Sequence, residues 1–520
     1  MINFINESHG SGSSSRGRKT LILVLPPQPN LLEGFSSGLI SLANFVDARL
    51  PGVEVKLLDL GRTTMKELAL EAKEVLKSAS GRVFVGVTST TATYQNALKT
   101  LRIFKQLIPE CITIMGGHHV SCQDKVALSN HIEVDFIIRG EGEEPLVKLL
   151  DKYPCISEVP NLSYRDGIHV KRNEDCELLA PVELDEISPI FRNGELKSPP
   201  GKFDHTTYVS ARGCPLGCSF CSVGNTTIRF KSIEAVIEDL RLLVGELGYK
   251  NIAVEDNFFA QSPKRTIALC RAIEDFQKEF PFRWDCQTRV ESCCRQEVIE
   301  AMDRAGCEAI YLGVEAFEPD QLLYLGKTGS PEKYLDDLHH KAAPMILQSN
   351  IDCYINIQLG LPGENESSRE ASLAELKELG EQALELDKRI VIFPQLHVIY
   401  PGTKHFFKAG KDGILGPDPE NVFEHFTAWE IRQEPILHWL GANFAHGTGG
   451  IPVGILYGDR LRSGDFEINP TAVLEVVNFL DDLNELPGIR VFSYSKYITA
   501  SRTLAEPQLQ TYLKVLSGGK

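Results

Sequence analysis

Arg212-Gly213-Cys214-Pro215-Leu216-Gly217-Cys218-Ser219-Phe220-Cys221 places three cysteines at the spacing CxxxCxxC. Thiolates are the usual ligands of iron-sulfur clusters, and Gly213 and Gly217 free the loop to wrap three sulfurs around one cluster. Three thiolates for four irons leave one iron open, and an open iron can chelate the amino and carboxylate groups of a small molecule. Other readings of the same residues make different demands. A structural zinc site wants four ligands, and the nearest extra candidate is His205. A plain electron-transfer cluster wants a fourth cysteine, which Cys286, Cys293, Cys294 or Cys307 could supply. The thirteen cysteines are an odd number scattered without a secretory signal, so reduced thiols or metal ligation are expected rather than a disulfide framework.

The elements that must position this loop come in two series. From Thr20, strand-like TLILVLP, helix-like GLISLANFVDARL and strand-like VEVKLLDL make a βα-β unit, and the pattern repeats through VFVGV, ITIMGG and DFIIRGEGE. An α/β fold with an N-terminal doubly wound, Rossmann-like parallel sheet is therefore expected over residues 19–150. Such sheets bind ligands outside the carboxyl ends of their strands. Those ends carry Pro27, Thr88, Ser89, Thr90, Gly116, Gly117, His118, Gly140, Glu141, Gly142 and Glu143, small or polar residues suited to a large flat ligand or a nucleotide. Residues 151–200, with a hairpin at NLSYRDGIHVKR and prolines at 181, 189, 199 and 200, read as a connector. A second series of six βα repeats over residues 201–405 predicts a partial (β/α)6 barrel of the TIM type. At its C-terminal strand ends the cysteine loop, Glu255, Asp256, Arg289 and Glu315 should converge. Residues 406–520 read as a mixed, mainly helical region with a substrate or accessory role, in which Trp429 and Trp439 are core candidates.

Composition narrows the function classes. Of 520 residues 42% are hydrophobic and 24% charged, the balance of a globular protein with two or three domains. A formal charge of −16 disfavours a nucleic-acid partner. No apolar run reaches membrane-spanning length, and residues 1–18 form a polar tail without a signal core, so a cytoplasmic protein with no membrane partner is expected.

At the cysteine loop the sequence resembles the radical S-adenosylmethionine superfamily, whose signature is this CxxxCxxC with an aromatic, here Phe220, before the last cysteine. ARGCPLGCSFCS, EDNFF, TRVE, LGVEAF with LGKTGS, LGLPGE and YPGT follow one another as in the subgroup that carries an N-terminal cobalamin-binding domain. VLPPQ, GLISLANFV, GVTSTTATY, IMGGHHVSC, VDFIIRGEGE and VELDEISP look like that subgroup's first domain and connector. The resemblance covers residues 19 to 410.

It implies that Cys214, Cys218 and Cys221 hold a 4Fe-4S cluster and that the Phe220 backbone lies against the adenine of S-adenosylmethionine. Glu255 or Asp256 would meet the nucleotide's amino group, Arg289 its carboxylate, and Glu315 its ribose hydroxyls; for each, a salt bridge lining the barrel mouth is the alternative. The strand-end residues of the first domain would bind cobalamin. No DxHxxG is present, so no histidine is marked as a lower ligand of cobalt. The implied reaction is methylation of an unactivated carbon of a small molecule or peptide, by a 5'-deoxyadenosyl radical and methylcobalamin, with electrons from a donor such as flavodoxin or ferredoxin. Radical cyclisation, ring rearrangement or oxidation without methyl transfer is the first rival, and a non-catalytic iron-sulfur electron carrier or binding protein the second.

Overall fold

The computed structural model describes residues 17–27, 36–61, 63, 64, 66–191, 205–426, 451–456 and 458–492. Trp429, Trp439 and most of the polar tail lie outside them. The first sheet is built from β1 (Lys19–Leu25), β2 (Val53–Asp59), β3 (Arg82–Thr88), β4 (Ile112–Gly116), β5 (Phe136–Ile138), β6 (Leu162–Asp166) and β7 (His169–Arg172), in the order β2-β1-β3-β4-β5-β6-β7. The first five strands in this order are parallel. Leu21, Ile22, Leu23 and Val24 of β1 are buried on both faces because helices cover both sides, which is why these strands read as unbroken apolar runs.

The hairpin expected to belong to a connector is part of this sheet. β6 pairs antiparallel with β5, and β7 with β6, so the sheet runs beyond residue 150. Without the hairpin, β5 would present a row of unpaired backbone groups at the edge.

A two-stranded ladder of β9 (Ala211–Arg212) and β10 (Arg229–Phe230) closes the base of the cysteine loop. The second large sheet contains β8 (His205–Tyr208), β11 (Asn251–Val254), β12 (Arg283–Thr288), β13 (Cys307–Glu315), β14 (Asp352–Leu359), β15 (Ile390–Leu396) and β16 (Ile489–Val491), all parallel, in the order β16-β15-β14-β13-β12-β11-β8. Six of these strands are the expected barrel series. The seventh, β16, comes from the region expected to be mainly helical and extends the sheet past β15. Helix Pro470–Asn484, capped by the Asn469 side chain, leads into it.

The two sheets are clamped together. Arg229 donates to both carboxylate oxygens of Glu141 at 2.9 and 2.6 Å, and Arg212 donates to Glu143 and to Ser41 Oγ, each at 2.8 Å. A second tie comes from beyond the barrel: Glu424 accepts from Tyr94 at 2.6 Å and meets His131 Nε2 at 3.0 Å. Among the described residues, no helix is long and apolar enough to cross a membrane.

Candidate functional site

The cysteine loop is held by its own backbone. Asn225 N donates to Leu216 O at 2.7 Å, Thr226 N to Cys214 O at 2.9 Å, and Cys214 N to Thr226 Oγ1 at 2.9 Å. Gly213 has φ +91°, and a Cβ there would stand 2.3 Å from Thr227 O, so a glycine is required. Cys214, Cys218 and Cys221 are free and only partly covered. Burial raises the Cys221 thiol, and the neighbouring Cys218 and Cys214 add to that shift, so the three sulfurs feel one another. Among the described residues no three His, Cys, Asp or Glu converge on one metal ion. Of the alternative fourth thiols, Cys286, Cys293 and Cys307 are buried among the apolar side chains of the barrel, burial holds Cys286 and Cys293 protonated, and the partly covered Cys294 donates to Val290 O at 3.3 Å. A half-covered trio of thiols in a tight loop is a donor set that fits a 4Fe-4S cluster with one open iron.

The remaining barrel residues divide. Phe220 packs against the barrel core. Glu255 follows β11 at a cavity, and burial pushes its carboxyl up, as for a carboxylate without a cation beside it. Asp256 does not share that position. It is 1% exposed and accepts from Ser210 N at 2.6 Å, Ala211 N at 2.9 Å and Ser210 Oγ at 2.6 Å. These bonds make Asp256 fix the backbone leading into the cysteine loop and leave it unavailable to an ammonium group. The Arg289 fork is likewise engaged: Nε and Nη2 donate to Glu291 at 3.2 and 3.0 Å, and Nη2 also reaches Lys327 O. Only its Nη1 edge faces the loop, 3.5 Å from Cys218 Sγ, so a bidentate grip on a carboxylate would require Glu291 to yield. Glu315, with φ +77°, accepts from Lys327 Nζ at 3.2 Å and Gln358 Nε2 at 2.8 Å. His397 Nδ1 meets Gln358 Oε1 at 2.7 Å. Lys327, Gln358 and His397 were not singled out as site residues; Lys327 lies in LGKTGS, but its target is visible only in three dimensions.

A cavity of about 970 Å³ opens between the sheets. From the first domain it is lined by Thr88, Thr90, Gly116, Gly117, His118, Gly140, Glu141, Gly142 and Glu143, and from the second by Arg212, Gly213, Ser222, Val223, Thr226 and Glu255. Two expected members stand behind this lining. Ser89 is fully buried, holding Gly116 O through its N–H, and Pro27 is buried with its carbonyl accepting from Asn96. Glu141 and Glu143 reach the cavity but spend their charge on Arg229 and Arg212. His118 faces the cavity, while His119 is buried against Tyr94, their rings 4.2 Å apart. Gly117 has φ +101°, and a Cβ there would meet Ser89 O at 2.4 Å. Strand ends this lean leave room for a flat macrocycle, so the cavity fits cobalamin.

Comparison with known proteins agrees with this division. Residues 32–150 match the B12 binding domain and residues 208–376 the radical SAM superfamily. The chain is 28% identical to the uncharacterized methyltransferase PH0819 of Pyrococcus horikoshii, over 79% of this chain and 90% of that protein. It is 27% identical to the anaerobic magnesium-protoporphyrin IX monomethyl ester cyclase of Cereibacter sphaeroides, over 45% of this chain and 40% of that one. Among solved structures, the radical S-adenosylmethionine methyltransferase TsrM from Kitasatospora setae, with cobalamin and a 4Fe-4S cluster bound, superposes with a TM-score of 0.63. That match has 17% identity and covers 76% of this chain and 79% of the other, a likeness of fold.

Proposed function

We propose that this chain, which matches the B12 binding domain over residues 32–150 and the radical SAM superfamily over residues 208–376, is a cobalamin-dependent radical SAM enzyme that methylates an unactivated carbon of a small-molecule or peptide substrate in the cytoplasm. The observation that carries this reading is the single cavity shared by the strand ends of the first domain and the base of the cysteine loop. A cluster on the cysteine loop, with S-adenosylmethionine, would supply radical initiation, and cobalamin in the cavity a transferable methyl group.

The chain's own residues supply position and charge. Cys214, Cys218 and Cys221 hold the cluster. Glu255, which faces the cavity, offers a carboxylate to the nucleotide's ammonium group. Glu315, oriented by Lys327 and Gln358, accepts from ribose hydroxyls. Arg289 guards the edge of the loop beside Cys218. Thr88, Thr90, Gly116, Gly117, His118, Gly140 and Gly142 form the cobalamin floor, and the Arg212 and Arg229 clamps hold that floor against the cluster loop.

The test is an anaerobic assay of cluster-reconstituted protein with cobalamin, S-adenosylmethionine and a strong reductant, set beside Cys218→Ala. Wild type should form 5'-deoxyadenosine and, only when cobalamin is present, S-adenosylhomocysteine; the variant should form no 5'-deoxyadenosine. The likeness to a cyclase supports a second reading, radical ring formation without methyl transfer. That reading requires 5'-deoxyadenosine without S-adenosylhomocysteine in proportion to product.

A further inference from the structure

The chain carries net negative charge, yet helix Lys404–Lys411 gathers lysines on one side. Lys404, Phe407, Lys408 and Lys411 stand at i, i+3, i+4 and i+7, the spacing of a single helical face, and all four are exposed, Phe407 by 65%. The opposite face is closed by buried His405, Phe406 and Ala409. One carboxylate, Asp412, pairs with Lys408 at 2.8 Å, which leaves the face net basic.

This helix is built against the outer wall of the cysteine loop. Lys404 Nζ donates to Gly217 O at 2.9 Å, and His405 N donates to Ser219 O at 3.1 Å, so the helix grips the residues on either side of Cys218. A Cβ on Gly217 would lie 2.9 Å from Lys404 Nζ, which shows how closely the two pack. Ser219 N is held by Leu325 O at 2.8 Å, and Tyr324 stacks on His405 with centroids 4.3 Å apart, so loop and helix form one packed unit.

We infer that this face, with Phe407 at its centre, is the docking surface for an acidic one-electron carrier protein that reduces the cluster. The inference rests on the cluster assignment above. A basic patch on a protein of net negative charge steers an acidic partner to one place, and an exposed aromatic supplies the apolar contact that such a patch lacks. The electron leaves the reduced carrier and enters the cluster through the Gly217–Ser219 wall, so the carrier is oxidised by one electron as the cluster is reduced by one.

The test uses the cluster-reconstituted full chain and a flavodoxin as the probe. Lys408→Glu/Lys411→Glu reverses the charge of the face without touching the residues that contact the loop, and Phe407→Ser tests its apolar centre. Stopped-flow loss of cluster absorbance with flavodoxin hydroquinone should slow at least tenfold in the double variant, and the steep salt dependence of wild type should flatten. Titration with oxidised flavodoxin should show a matching loss of affinity in both variants. Reduction by titanium(III) citrate should stay at the wild-type rate. Equal rates and affinities with flavodoxin in wild type and both variants, or no flavodoxin binding to wild type at low salt, overturn the inference. A wild-type protein that shows no absorbance change even with titanium(III) citrate instead overturns the cluster assignment.

Discussion

Arg212 Nη2 and Glu143 Oε1 meet at 2.8 Å across the junction of the two domains, with Arg212 two residues before the first cysteine of the loop and Glu143 at the start of the helix that follows β5. The Glu143 side chain is 4% exposed and also accepts from Ser41 at 2.5 Å. The wall of the cavity and the base of the cysteine loop are thus one charged unit.

Removing one member strands the other. Arg212→Ala leaves a buried carboxylate with only a serine, and should cost about 3 kcal/mol in urea unfolding. Glu143→Ala in the same background should recover part of that loss, because the stranded charge is gone. Strict additivity of the two substitutions would show that the pair is not coupled.

Gly117→Ala places a Cβ 2.4 Å from Ser89 O at a positive φ. It should lower stability by about 1–3 kcal/mol and reduce cobalamin bound per chain, read from the absorbance of protein after gel filtration. A variant that melts with wild type and binds cobalamin stoichiometrically would contradict the tight turn at the end of β4.

Glu315→Gln keeps the shape but removes the charge that Lys327 and Gln358 surround. Hydrogen bonds to charged groups are worth about 1.5–3 kcal/mol, so affinity for S-adenosylhomocysteine should fall by about tenfold or more in calorimetric titration. An unchanged affinity would remove Glu315 from the nucleotide site.

Asp285 is pushed up to about 7, first by burial, then by Glu308 and Glu255. A carboxyl whose folded value lies above its unfolded value binds its proton more tightly in the native state, so it favours unfolding as pH rises from about 4 to 7. Its penalty is absent in acid and complete above about pH 7. Asp285→Asn should therefore gain stability relative to wild type across that window and hold the gain beyond it, as followed by denaturant midpoints at successive pH values. Parallel pH curves for the two proteins would show that Asp285 is not desolvated.

The cysteine loop and the alternation of strands and helices were legible because each has a local cause: ligand spacing in one, and the need of parallel strands for crossover helices in the other. Pairings between distant segments were not. The hairpin at Leu162–Arg172 could have been free or attached, and only the open edge of β5 decides it. β16 is three residues long, too short to show a period. Glu255 and Asp256 are neighbours just past β11, one lining the cavity and the other held by Ser210 and Ala211, and nothing in their local sequence separates a cavity carboxylate from a structural one. Arg229 and Glu141 lie 88 positions apart, and nothing in either local sequence names the other.

Because β16 pairs with β15 across the whole span from Leu396 to Ile489, the ribosome must release more than ninety further residues after β15 before the barrel gains its last strand. Until then the β15 edge stands open, an invitation to pair with a neighbouring nascent chain. Helix Lys404–Lys411, which braces the cysteine loop, emerges well before that closure. A chain cut short before Ile489 would therefore have its cysteine loop and its brace while leaving the β15 edge unpaired.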